Sequence, residues 1–148
     1  MTRQSLIPLL GTILSDHREW FETKGNSGVL ADLSEENLEE GNFEDTVLVE
    51  ASFQGSNLHK SNFRNSDLRG ANFHDARLTQ AQFQNSNLEE TDLMWADLKG
   101  AMFDHARLAG AYLHGADFRE TNITKDQIKF AYTDEDTLFP DFILDKEK

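Results

Sequence analysis

Histidine is the side chain type whose unperturbed ionisation falls near neutrality, which makes His17, His59, His74, His105 and His114 the first candidates for metal ligands or general bases. None stands at a ligand spacing such as His-X-X-X-His. The sequence holds no cysteine, which removes thiolate metal sites, disulfides and cysteine nucleophiles together. Carboxylates are abundant, 27 Asp and Glu against 14 Lys and Arg, yet no pattern forces one into an apolar pocket where it could serve as a general acid. No glycine-rich phosphate loop precedes a helix. The chain is therefore expected to be non-enzymatic, without catalytic residues, cofactor or metal, and to carry its histidines on the surface.

The chemistry left is that of binding. A net charge of −13 disfavours direct contact with nucleic-acid phosphates and leaves room for a basic partner. The apolar run Leu6-Ile7-Pro8-Leu9-Leu10 lacks a cleavage pattern after it, and no apolar stretch is long enough to span a bilayer, so a cytoplasmic location is expected. A hydrophobic share of 38% allows only a narrow core.

How that core is built follows from an internal period. An apolar residue returns every fifth position from Leu33 through Leu38, Phe43, Leu48 and Phe53 to Phe118, Ile123 and Ile128, twenty times without a slip. Two residues before each stands a small one, such as Ala51, Ser56, Ser61, Ser66 and Ala71; Glu36 and Asp126 are the exceptions, near the two ends. Between them comes a polar residue, often Asn or Asp, as at Asn57, Asn62, Asp67, Asn72 and Asp92. A period of five matches neither the helix at 3.6 nor the strand at 2, so the chain must turn a corner once per repeat. Four corners close a coil of about twenty residues, with the large and the small residue both inside a tube too narrow for two large side chains. In that coil Phe43, Phe63, Phe83 and Phe103 stack on one side, and Phe53 and Phe73 face them from the opposite side. Gly55, Gly70, Gly100, Gly110 and Gly115 fall at the last position of a repeat, where a corner favours glycine. His74 and His114 would share a side two coils apart, about 10 Å, too far to ligate one metal.

Runs such as Ala96-Asp97-Leu98-Lys99-Gly100 and Ser66-Asp67-Leu68-Arg69-Gly70 resemble the pentapeptide-repeat family, whose unit is Ala-(Asp/Asn)-Leu-X-X. The resemblance spans roughly residues 31–130. It implies an all-β solenoid, a right-handed quadrilateral β-helix, here of about five coils. Some members of that family resemble B-form DNA in width and negative surface and act on type II topoisomerases such as DNA gyrase, conferring quinolone resistance. A DNA-mimic role is therefore one reading implied by the resemblance. A protein-interaction or scaffolding role is the other.

The organisation expected is a capping helix and loop over residues 1–30, the repeats over 31–130 and a C-terminal cap or tail over 131–148. Leu6, Leu9, Leu10, Ile13, Leu14, Trp20 and Phe21 recur at helical spacing, which predicts an amphipathic helix over residues 3–23 with Pro8 near its start. A membrane-surface helix would need a basic face that this segment lacks. The segment Asp134-Glu135-Asp136-Thr137-Leu138-Phe139-Pro140 resembles an Asp-Glu-X-Thr-X-X-Pro ending of such arrays. Phe130, Phe139, Phe142 and Ile143 near it form a possible cap or homodimer surface.

Two outward features mark where a protein partner could dock. Met94, Trp95 and Tyr112 occupy outward positions that are ordinarily polar, with Met102 round the corner from them, and together they are read as a contact patch. Asp32, Glu35, Glu36, Glu39, Glu40, Glu44, Asp45 and Glu50 make an acidic collar on the first coil, which has no Lys or Arg.

Overall fold

The computed structural model describes residues 6–144. The first residues of the helix expected over 3–23 (3–5) and the end of the expected tail (145–148) lie outside them.

The same local structure recurs at each repeat. The polar second residue forms a parallel bridge with its equivalent twenty residues later, from Asp32 with Ser52 to Asp97 with Asp117. The rungs are short hydrogen bonds: Leu33 N–H donates to Ser52 O at 2.7 Å, and Ser52 N–H to Ala31 O at 3.0 Å. The chain then folds back, as where Ala71 N–H donates to Leu68 O at 3.0 Å, closing a four-residue turn. Because a corner follows every bridge, pairing never lengthens into a continuous strand. The result is a four-walled β-helical solenoid. Wall 1 comprises residues 31–35 and their equivalents at steps of twenty; walls 2, 3 and 4 begin at residues 36, 41 and 46.

The corners are more uniform than their glycines suggest. Every fifth residue from Glu35 to Glu120 has φ between +57° and +73°, glycine or not. Glu, Asp, Lys, Asn, Gln, His and one Trp all adopt this left-handed conformation, which costs a residue with a Cβ about 1 kcal/mol. Side-chain hydrogen bonds help to hold the turns. Asp92 Oδ1 accepts from Met94 N–H at 2.9 Å and Asn72 Oδ1 from His74 N–H at 2.9 Å, which accounts for the Asn/Asp column. Buried hydroxyls of the small column donate to the preceding carbonyl, Ser56 Oγ to Phe53 O at 2.6 Å, so Ser substitutes for Ala without an unpaired polar group.

Inside the tube the phenylalanines sit as the period predicts. Phe43, Phe63, Phe83 and Phe103 stack in near-parallel pairs with ring centroids 4.6 to 5.3 Å apart, and Phe53 stacks on Phe73 at 4.9 Å. Across the lumen the rings meet edge to face, Phe53 against Phe63 at 88° and Phe63 against Phe73 at 89°. All six are fully buried.

At the N-terminal end, a 3₁₀ turn at Ile7–Leu9 takes up Pro8, and helix α1 (Leu10–Glu22) starts only after it, because proline cannot donate the hydrogen bond a helix interior needs. Leu10 joins the core, with Leu6, Ile13 and Leu14 packed against it. Leu9, expected on the buried face, is exposed instead. The stripe is completed by His17, which is fully buried, contrary to its expected place on the surface. Its Nδ1 accepts from Ala31 N–H at 3.0 Å, tying α1 to the first coil.

At the C-terminal end the five-residue period stops before its last expected member. Ile123 is a buried centre, but Lys125–Ile128 form the short helix α2, so Ile128 is only half-buried and Asp126 needs no place in the small column. A reciprocal cap starts α2: Thr124 Oγ1 accepts from Gln127 N–H, and the Gln127 side chain accepts from Thr124 N–H. Coil pairing resumes with Tyr112 bridged to Tyr132, then slips by one residue where Asp117 pairs with Leu138. In this irregular last coil side chains take over from backbone carbonyls as acceptors. Asn122 Oδ1 accepts from Phe103 N–H at 2.7 Å, and Asp134 Oδ1 from Gly115 N–H at 3.0 Å. Thr137 Oγ1 donates to Leu113 O at 3.0 Å. Phe139 stacks on Phe118 at 5.7 Å before helix α3 (Asp141–Leu144).

Candidate protein-docking surface

The outward aromatic residues separate by wall. Trp95 and Tyr112 lie on wall 1 and are 53% and 43% exposed, with Met94 partly covered beside Trp95. Met102 does not join them. It stands ten residues from Tyr112 and from Asp92, which in a twenty-residue coil is the opposite wall, as the facing of Phe73 and Phe83 across the lumen shows. The sequence reading placed it round the corner; half a coil in fact lies between them.

Tyr132 takes its place. The bridge between Tyr112 and Tyr132 puts the two rings in a stack 5.1 Å apart and 18° from parallel, with Tyr132 54% exposed. Its place follows from the period, since 132 is 112 plus one coil.

Trp95 is held in an unusual way for a solenoid corner. Its φ is +60°, a conformation that bulky residues rarely adopt. Its indole lies over Gly115, one coil later, so closely that a Cβ on Gly115 would overlap the ring. One ring face is thus laid on the wall and the other is turned outward. Tyr112 meanwhile stands where the repeat ordinarily places an Asn or Asp to cap the turn, so the local fold gains no such hydrogen bond from it.

Beside these rings lie carboxylates and imidazoles. His74 sits between Asp75 and Asp92, with Nε2 and Nδ1 each 3.5 Å from a carboxylate oxygen. Among the described residues His114 Nδ1 is buried without a hydrogen-bond partner. His59 Nδ1 shares a hydrogen bond with Thr79 Oγ1 at 2.6 Å, and His105 is exposed at a corner. Among the described residues no group of three or more His, Asp or Glu is placed to hold a metal ion. Local desolvation pushes the carboxyl of Asp134, itself an exposed residue, up, but hydrogen bonds from Gly115 N–H, Thr137 and Asp136 N–H outweigh it and hold the group below the usual carboxylate range.

Glu35, Glu40, Asp45 and Glu50 occupy the four corners of the first coil, with Asp32, Glu36, Glu39 and Glu44 on the walls between them. A second asymmetry runs along the solenoid. Wall 1 carries no Lys or Arg at any level, but bears Asp32, Glu35, Asp75 and Asp92 and continues into Asp134, Glu135 and Asp136. Each other wall is interrupted by cations: Lys60, Arg77, Lys99 and Arg119 on wall 2, Arg64 and Lys125 on wall 3, and Arg69, Arg107 and Lys129 on wall 4. Several pair locally, as in Arg69 with Asp67 at 2.6 Å and Arg107 with Glu89 at 2.6 Å.

The residues read as a cap or dimer surface divide. Phe139 and Ile143 pack against the core, whereas Phe130 and Phe142 are 69% and 53% exposed. Among the described residues no helix is long and apolar enough to cross a membrane.

A four-walled solenoid with hydrogen-bonded corners and a stacked lumen defines a repeat protein. The family model described as a pentapeptide repeat region matches the sequence over residues 30–93 and 56–132, and the chain belongs to the pentapeptide-repeat family. Its members share a right-handed β-helical fold. Among solved structures, a pentapeptide repeat protein from the Arabidopsis thaliana thylakoid lumen is 31% identical, with a TM-score of 0.65 over 68% of this chain and 70% of that one. A pentapeptide repeat protein from Nostoc Pcc 7120 is 23% identical, with a TM-score of 0.60 over 88% of this chain and 84% of that one, a likeness of fold alone. The plasmid-mediated fluoroquinolone resistance protein QnrB1 is 19% identical with a TM-score of 0.37, over 70% of this chain and 65% of that one. No curated protein matches the sequence.

Proposed function

We propose that this chain is a non-enzymatic protein-interaction module: a solenoid of about five coils, closed at one end by α1 and at the other by the Asp134 to Phe139 segment, that docks a protein partner on wall 1. The observation that carries this reading is Trp95, a bulky residue in a left-handed corner with one ring face exposed, aligned on one wall with the Tyr112 and Tyr132 stack. Burial of such aromatics at an interface is where contact energy concentrates. The core gains little from a tryptophan here, since corners elsewhere are built from Glu, Asn, Gln or Gly. In a pull-down from the native cell extract, a protein retained by the wild-type chain is expected to be lost on Trp95→Asn and kept on Met102→Ala, which alters the opposite wall. Retention by both variants would refute docking on wall 1.

The acidity supports a second reading, a DNA-mimic modulator of a type II topoisomerase, because wall 1 bears carboxylates at several levels, Asp32, Glu35, Asp75, Asp92, Asp134 and Glu135, and no Lys or Arg. A supercoiling assay with purified DNA gyrase tests it. Inhibition at sub-micromolar protein would favour mimicry over docking by an aromatic patch. The exposed Phe130 and Phe142 make a homodimer through the C-terminal end a further proposal, which sedimentation of the purified chain decides.

A further inference from the structure

Wall 1 combines two properties that select the same kind of ligand. The outward face of an indole carries the negative lobe of its quadrupole and attracts cations, arginine above all. Trp95 offers such a face because its other side is laid on Gly115. One coil below, at the same corner, is Asp75, exposed and on the same wall as Asp92. No Lys or Arg on this wall competes for either carboxylate, and His74, 3.5 Å from both, is their basic neighbour. Higher up stand the Tyr112 and Tyr132 rings, bordered by Asp134, Glu135 and Asp136.

We propose that wall 1 receives an extended, arginine-bearing segment of a protein partner, with guanidinium groups stacked on Trp95 and paired with Asp75 and Asp92. The inference rests on the docking reading above and names the chemistry of the partner. From the level of Asp75 to that of Tyr132 is three coil spacings, about 15 Å, which four or five extended residues span. Arginine suits the site better than lysine, because its planar fork both stacks on a ring and bridges a carboxylate. Nucleic acid is the wrong charge for this wall, and the other three walls interleave cations with their acids and lack the row of rings.

The test uses the full chain and two synthetic peptides, Gly-Arg-Gly-Arg-Gly-Arg and its lysine counterpart, titrated while the indole and amide resonances of the ¹⁵N-labelled protein are followed. The arginine peptide is expected to shift the Trp95 indole and wall 1 amides and to bind more tightly than the lysine peptide. Trp95→Asn, which keeps a residue type that the corners at Asn65 and Asn85 already accept, is expected to weaken binding about five-fold. Asp75→Asn with Asp92→Asn should weaken it by a similar factor, while Glu39→Gln with Glu40→Gln, acidic but on wall 2, should leave it unchanged. Equal loss in the collar variant would mean that the peptide reads only net charge and would overturn the proposal. So would shifts confined to the collar, or no binding at millimolar peptide. If the cellular partner is still lost on Trp95→Asn while the arginine peptide fails to bind, the docking reading stands and only the basic partner falls.

Discussion

Phe63 tests whether ring stacking, rather than apolar volume alone, holds the lumen. It touches four rings: Phe43 and Phe83 stacked at 4.6 and 5.2 Å, Phe53 and Phe73 edge-on at 5.6 Å each. Leucine would keep most of its buried apolar area and lose all four ring contacts. At about 0.5 kcal/mol each, the low end for aromatic pairs, Phe63→Leu should cost about 2 kcal/mol. Phe103 has two ring partners, Phe83 stacked at 5.3 Å and Phe118 tilted at 5.6 Å, so Phe103→Leu should cost about 1 kcal/mol. Phe63→Ala adds an unfilled cavity and should cost about 4 kcal/mol, a large part of the stability of a small domain. Urea unfolding followed by circular dichroism measures all three. The slope must be checked in each, because a repeat array broken in its middle can unfold in two stages. Equal costs for the two leucine variants, or a loss below about 1 kcal/mol for Phe63→Ala, would show that the rings contribute only volume and that the tube repacks.

Three further outcomes concern α1 and its attachment. Burial holds the His17 imidazole below histidine's ordinary value, against the opposing effects of the Val49 carbonyl and Glu50, and a neutral ring with Nδ1 accepting from Ala31 N–H must carry its proton on Nε2. Its folded pKa being depressed, its contribution is fully present above the unfolded value of about 6.5 and is lost as pH falls below it toward the folded pKa. Stability measured by urea titration between pH 7.5 and 5 should therefore drop in the wild type and drop less in His17→Asn, whose side-chain oxygen can accept from Ala31 without titrating; parallel curves would refute this. Gly28→Ala should loosen the docked helix at a cost of about 2 kcal/mol, because φ is +79° there and the added Cβ would overlap Asp16 O and Trp20 N. Gly11→Ala, with open space around it, should instead stabilise the helix by up to about 1 kcal/mol; hydrogen exchange across α1 distinguishes the two.

The lumen was legible from residue order because a side chain's direction in this fold depends only on its place in the five-residue unit. Phe43 over Phe63 and Phe53 against both followed from counting alone. Counting failed where the unit is interrupted. Lys125 to Ile128 keep an apolar residue in register, yet Thr124 and Gln127 cap each other and turn the segment into a helix, a local hydrogen-bond choice that periodicity does not encode.

What the amino-acid order determined by itself was thus the coil, its contents and its family, since a repeated unit cannot bury its apolar residues in any other way. Counting in steps of twenty also sets Tyr132 over Tyr112 and Met102 on the far wall. The tertiary structure alone decided how side chains lie between coils and how the ends close: it laid Trp95 over Gly115 and enclosed His17 beneath the first coil. Those relations depend on contacts between coils and on how the two ends close, which are distances through space that no local stretch of sequence specifies.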